Sequence, residues 1–118
     1  MHEISLVRSL FRTLEDQLSA EELTRLQAIH LEVGVLSGIE PMLLDNAYQV
    51  LRDNSPYADV VLHVRSVPIS VWCDTCEETF SVTRQRFICP TCHTASNQVR
   101  TGEELMIRQV ELAEPAVP

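Results

Sequence analysis

From Ile4 onward, apolar residues return at helical spacing. Ile4, Val7, Phe11, Leu14 and Leu18, joined by Leu6 and Leu10, make one stripe, and Arg8, Arg12, Glu15 and Asp16 populate the other face. This period predicts a first helix over residues 3–18. A polar stretch follows, and then the period changes. Ile29, Leu31, Val33 and Val35 alternate with Ala28, His30, Glu32 and Gly34, the two-residue repeat of a half-buried strand, which residues 34–38 bring to an end. Pro41 stands where a first helical residue tolerates the missing N–H. Leu43, Leu44, Ala47, Tyr48, Val50 and Leu51 then mark a second helix, stopped by Asp53-Asn54-Ser55-Pro56.

Residues 58–67 are rich in valine and alternate again, so a second strand runs straight into a cysteine-bearing segment. Between the two cysteine pairs, Phe80-Ser81-Val82 and Arg86-Phe87-Ile88 read as the short strands of a hairpin, and Thr101-Gly102 marks the exit. Residues 105–112 predict a third long strand. Leu105 and Ile107 lie on one phase and Val110 and Leu112 on the other, so a bulge is expected near Arg108 or Gln109. Residues 114–118 read as a disordered tail. The economical packing is an α+β fold, with two helices on one face of a three-stranded sheet. Its core is discontinuous: residues 1–68 and 102–118 form one domain, and residues 69–101 form a small zinc-ribbon-like module inserted before the last strand.

A chain of 118 residues accommodates one modest core and a module too short to fold without a metal. Nine basic against seventeen acidic residues leave a formal charge of −8, which repels phosphate backbones and counts against nucleic acid as the partner of a zinc ribbon. Arg84, Arg86 and Arg100 do lie in the module, but Asp74, Glu77 and Glu78 offset them. Every basic residue is arginine, which removes lysine nucleophiles and Schiff bases from consideration. No secretory signal or membrane span is legible, so the protein is expected to be soluble and cytoplasmic.

The four cysteines, Cys73, Cys76, Cys89 and Cys92, fall as two Cys-x-x-Cys pairs separated by twelve residues. Each pair can present two sulfurs from one tight turn, and the spacer suffices to bring the second turn back against the first. A tetrahedral thiolate site for Zn(II) is the expected result, and a reducing compartment agrees with cysteines kept from disulfides. A closed four-sulfur site has no open coordination position, so its role is structural. With the cysteines committed and no Gly-x-Ser-x-Gly or phosphate loop present, the sequence offers no enzyme site.

Four histidines remain. His30 and His63 fall on the polar phase of their strands, beside Glu32 and Arg65, and read as solvated or hydrogen-bonded side chains. His93 follows Cys92. It is a candidate to join the metal or to donate a hydrogen bond to a ligand, beside the plainer reading of an exposed side chain. His2 differs because it adjoins the amine of Met1. That amine, the deprotonated His2 backbone nitrogen and the imidazole can chelate a dication, with Glu3 in reach, and planar nitrogen donors suit Ni(II) or Cu(II) better than Zn(II). The residues alone leave this open against a helix start that carries a surface histidine.

The opening Met1-His2-Glu3, the stretch Val33-Gly34-Val35-Leu36-Ser37, the paired cysteines and the ending Leu105-Met106-Ile107-Arg108 together resemble the HypA/HybF family, nickel metallochaperones of nickel–iron hydrogenase maturation. The resemblance covers the chain up to its acidic tail. It implies a non-enzymatic carrier with a nickel site at Met1, His2 and Glu3, and structural zinc on the four cysteines. It also implies a GTPase partner and delivery to the hydrogenase large subunit. Some relatives also serve urease, which adds urease accessory proteins to the implied partners. Some relatives place a histidine after both cysteine pairs, at a zinc site that responds to acidity or nickel. Here Glu77 follows Cys76, so only His93 is available for such an exchange. Glu40, at the start of the second helix, is a candidate extra acidic contact near the nickel. The competing reading is a zinc-ribbon protein–protein adapter whose Met-His start is incidental.

Overall fold

The computed structural model describes residues 2–84 and 86–115. The amphipathic opening forms helix α1 (Glu3–Gln17), which buries Leu6, Val7, Leu10 and Leu14. Ile4 leaves the buried stripe and is 48% exposed. The polar stretch that follows is not featureless, because it holds a short helix, α2 (Ala20–Thr24). A reciprocal cap starts it: the Glu22 backbone N–H donates to the Ser19 hydroxyl at 3.1 Å, and the Ser19 N–H donates to the Glu22 carboxylate at 2.9 Å. The Ser-x-x-Glu spacing is the sequence mark of that motif.

Strand β1 (Leu26–Gly34) is followed by a single 3-10 turn (Val35–Ser37), helix α3 (Pro41–Arg52) and strand β2 (Val61–Val67). Strands β1 and β2 are parallel, in register from Ala28 opposite Val61 to Gly34 opposite Val67. A parallel pair needs a crossover, and α3 supplies it. The last strand of the chain, Leu105–Leu112, pairs antiparallel with the other edge of β1, so β1 is central in a three-stranded sheet. The anticipated bulge is present: His30 faces Gln109 and Leu31 faces Ile107, which leaves Arg108 as the extra residue.

Strand β2 begins three residues later than its valine pattern suggests, because Tyr57 and Val60 are used as anchors. The buried Tyr48 hydroxyl donates to the Val60 carbonyl at 2.6 Å, and Arg52 donates to the same oxygen at 3.0 Å. The Tyr57 ring stacks on Phe11 at 4.2 Å, and its hydroxyl donates to Glu15 at 3.1 Å. Burial, then the bond to Glu15, pushes the Tyr57 phenol up to about 12. These contacts hold the later turns of α1 beside the residues that lead into β2.

The cysteine segment builds a second sheet from β3 (Ser70–Cys73), β4 (Glu78–Ser81) and β5 (Val99–Thr101), with β3 central. By this order Leu105–Leu112 is β6. Ile69, Val71, Cys73, Phe80 and Cys89 form a core separate from the one made by α1, α3 and the first sheet. Of the hairpin strands expected at residues 80–82 and 86–88, the first is present within β4 and the second is corrected here. The hairpin is β3 with β4, and Arg86-Phe87-Ile88 is not a strand; Ile88 makes only an isolated bridge to Ala95. Each cysteine pair occupies its own turn, so paired backbone flanks each turn instead of filling the space between them.

Both ends of this segment meet the same end of β1. Gly34 pairs with Val67 on one side, and Val33 pairs with Leu105 on the other. The Gly34 N–H donates to the Glu104 carbonyl, and the Leu36 N–H donates to the Gly102 carbonyl, each at 2.7 Å. A Cβ on Gly34 would lie 2.1 Å from the Gly102 carbonyl oxygen. Gly102 has φ +116°, and a Cβ there would press on Ile69 at 3.0 Å. Backbone thus replaces side chain at the crossing. Gly34→Ala should cost about 3 kcal/mol in denaturant unfolding. Gly38→Ala, at φ +80° with open space around it, should cost only about 1 kcal/mol. Equal losses in the two variants would show that the close approach carries no special weight.

Candidate metal centres

The β3–β4 turn carries Cys73 and Cys76, and the turn closed by the Ile88–Ala95 bridge carries Cys89 and Cys92. All four sulfurs lie within 4.8 Å of one another and none is in a disulfide. Cys73 and Cys92 sulfurs are 3.5 Å apart, and those of Cys76 and Cys89 are 3.9 Å apart. A tetrahedral thiolate site with metal–sulfur bonds of about 2.3 Å has edges of about 3.8 Å, and these distances bracket that value. Cys73 and Cys89 are buried in the module core, while Cys76 and Cys92 are half-buried.

The sulfurs act on one another. The Thr94 hydroxyl and backbone N–H bond to the Cys92 sulfur and hold its thiol down at about 6. Hydrogen bonding with that sulfur, then burial, pushes Cys76 up to about 12. Accumulated negative charge in one small volume is unfavourable, so a second thiolate beside the first is disfavoured. A bound dication removes that conflict. The second cysteine turn is braced by its own backbone: the Cys89 N–H donates to the Thr94 carbonyl at 3.0 Å and the His93 N–H donates to the Cys89 carbonyl at 2.9 Å. His93 sits in the left-handed region at φ 62°, exposed, and outside the sulfur cluster.

At the other candidate centre, Met1 lies outside the described residues. His2 is exposed and occupies the position just before α1, where its carbonyl accepts the Leu6 N–H at 3.0 Å and its side chain makes no cap bond. Glu3, half-buried, is the acidic residue of the first helical turn. Glu40 is exposed and precedes α3, and its carboxylate accepts the Met42 N–H at 3.3 Å. That bond gives Glu40 a capping task of its own.

Around His2 the sequence reading missed a surface. His2, Glu3, Ile4 and Ser5 border a shallow depression completed by Leu43, Asn46, Ala47 and Val50 of α3. Leu43 and Val50 belong to the apolar pattern that marks the helix in the sequence, yet they are 53% and 70% exposed, with Met42 at 74%. The only available signal was that α3 carries more apolar residues than one buried stripe needs. His30 and His63, read as solvated or hydrogen-bonded, do make such contacts: the His30 Nε2 lies 2.7 Å from Glu111, and the two imidazoles stack.

No helix among the described residues is long and apolar enough to cross a membrane. Comparison with known proteins places these features in a lineage. The family model described as hydrogenase/urease nickel incorporation, metallochaperone, HypA matches residues 1–112. Similar proteins include the hydrogenase maturation factor HypA of Shewanella sp. strain MR-7, 29% identical over 112 residues that make up 95% of each chain. The factor of the same name from Acidithiobacillus ferrooxidans is 33% identical, across 95% of this chain and 99% of its own. The solution structure of the nickel metallochaperone HypA from Helicobacter pylori shares the fold, with a TM-score of 0.66 at 21% identity over 98% of this chain and all of that one. The sequence match over nearly the entire length, with the four-cysteine cluster and the α+β architecture, shows that this chain belongs to the HypA family of metallochaperones for nickel incorporation in hydrogenase and urease maturation.

Proposed function

We propose that this chain takes up Ni(II) at Met1, His2 and Glu3 and, with a GTPase partner, delivers it in the cytoplasm to the large subunit of a nickel–iron hydrogenase. Urease accessory proteins form a second set of candidate partners. The observation that carries this reading is the family match beginning at residue 1, on a chain whose His2 side chain is exposed and free of any capping duty. An exposed chelate exchanges its ion with an acceptor more readily than a closed cage does, as a carrier requires. The apolar surface of Ile4, Leu43 and Val50 beside it suits a docking partner. Glu40 is the accessory acidic contact in this reading, and His93 the accessory group near the cysteines.

In the same reading Cys73, Cys76, Cys89 and Cys92 hold Zn(II), which supplies folding energy to residues 69–101, while residues 1–68 and 102–118 fold around their own core. The sulfur spacing near that of a tetrahedral site supports the assignment.

Equilibrium dialysis of untagged protein should find one nickel ion fewer per chain in His2→Ala than in the parent, and equally one fewer when residues are added before Met1, with zinc content and circular dichroism unchanged. Nickel affinity preserved in both variants would refute the terminal site and favour the adapter reading. Protons compete for the amine, amide and imidazole donors, so nickel affinity should fall as pH drops. Cobalt(II) substituted at the cysteines should give the intense visible bands of a tetrahedral thiolate. Cys89→Ser should abolish them, and it should abolish amide exchange protection in β3, β4 and β5 while β1 and β6 stay protected. Loss of protection in both sheets at once would contradict the two-unit division.

A further inference from the structure

We propose that His30, His63 and Glu111 form an additional metal site, on the face of the β2-β1-β6 sheet turned away from the helices, for a divalent transition ion such as Ni(II) or Zn(II). The parallel register of β1 and β2 sets His30 directly opposite His63. Their rings stack with centroids 4.7 Å apart and planes 16° from parallel. From the third strand Glu111 brings a carboxylate oxygen to 2.7 Å from His30 Nε2. One ligand atom from each of the three residues lies within 4.8 Å of the other two.

Sheet geometry produces this grouping. Ile29, Leu31 and Val33 turn into the core, so the alternate positions His30 and Glu32 face outward, and His63 and Arg65 do the same on β2. Metal–nitrogen and metal–oxygen bonds of about 2.0 to 2.2 Å place neighbouring donors about 3 to 3.5 Å apart, so binding adjusts the side chains. His63 and Glu111 are both exposed and free to close by side-chain rotation, while half-buried His30 stays as the anchor. Two imidazoles and one carboxylate are donors that suit nickel and zinc, and three protein ligands leave positions open to water or to a donor from an acceptor protein.

The charges on that face permit a cation. Arg65 and Arg108 are the basic groups there, and both guanidinium groups turn to Glu32, at 3.3 and 3.6 Å. Glu111 is left to the histidine pair. The site shares no residue with either centre described above, so it stands whether or not nickel binds at the terminus.

The test uses full-length His2→Ala protein with its cysteines loaded with zinc, dialysed against Ni(II) and separately against Zn(II), with metal counted by mass spectrometry. One further ion per chain is expected, with Ni(II) broadening the imidazole NMR signals of His30 and His63. His63→Ala and Glu111→Gln, both at exposed positions that leave the core intact, should each weaken that ion on the order of 10- to 100-fold or more. The inference is overturned if the extra ion is absent, if both variants keep it at parent affinity, or if the broadened signal belongs to His93.

Discussion

The structure depends on a contact in which no side chain takes part. Gly34 ends the central strand against the backbone of Gly102, so close that even a methyl group would overlap the carbonyl. Around that contact the chain leaves the first sheet through Val67 and returns to it through Leu105, one on each side of β1. The order β2-β1-β6 and the position of the cysteine segment follow from it. So does the entry to α3, because β1 must stop there and the 3-10 turn with Gly38 in the left-handed region redirects the chain to Pro41. A bulkier residue at position 34 would act on both sheets, since it would part the strand end from the segment that leads into β6.

The cysteine and terminal centres proposed to hold metal have opposite physical requirements, and their placement reflects that. The cysteines sit within a small core, on turns closed by their own backbone bonds, where an ion would replace apolar volume that a segment of this size cannot supply. His2 lies at the start of α1 with an exposed imidazole, next to uncovered apolar side chains of α3. Its helix is nevertheless well anchored: Phe11, Glu15 and Tyr57 pin the far turns, so the exposed end projects from a fixed base. A site made for exchange can therefore keep a defined position on the molecule.

Much of this arrangement was legible in local pattern. The stripe of α1, the Pro41 start of α3 and the phase change that yields the Arg108 bulge are all short-range signals, and the structure contains each of them. The cysteine spacing announced its cluster for the same reason, because one turn can present two sulfurs. What was hidden depends on partners distant in sequence. Nothing near residues 86–88 indicates that the cysteine turn itself would be the hairpin loop. Leu43 and Val50 look like core until the breadth of the α1–α3 contact is known. His30, His63 and Glu111 come from three strands, and only strand order and register bring them together.

The distance along the chain between β1 and β6 governs how this protein assembles. Val33 must find Leu105, and the central strand cannot acquire its second neighbour until the residues between them have been made. The intervening cysteine segment leaves and returns at adjacent points, so once it has closed on its own core it acts as a short tether in place of a long loop. Closure entropy changes by about 0.6 kcal/mol for each doubling of loop length, so the equilibrium gain is small. The kinetic gain is larger in kind: a closed insert delivers β6 already beside the end of β1, and β6 needs only to zip along an edge that would otherwise remain open to other chains.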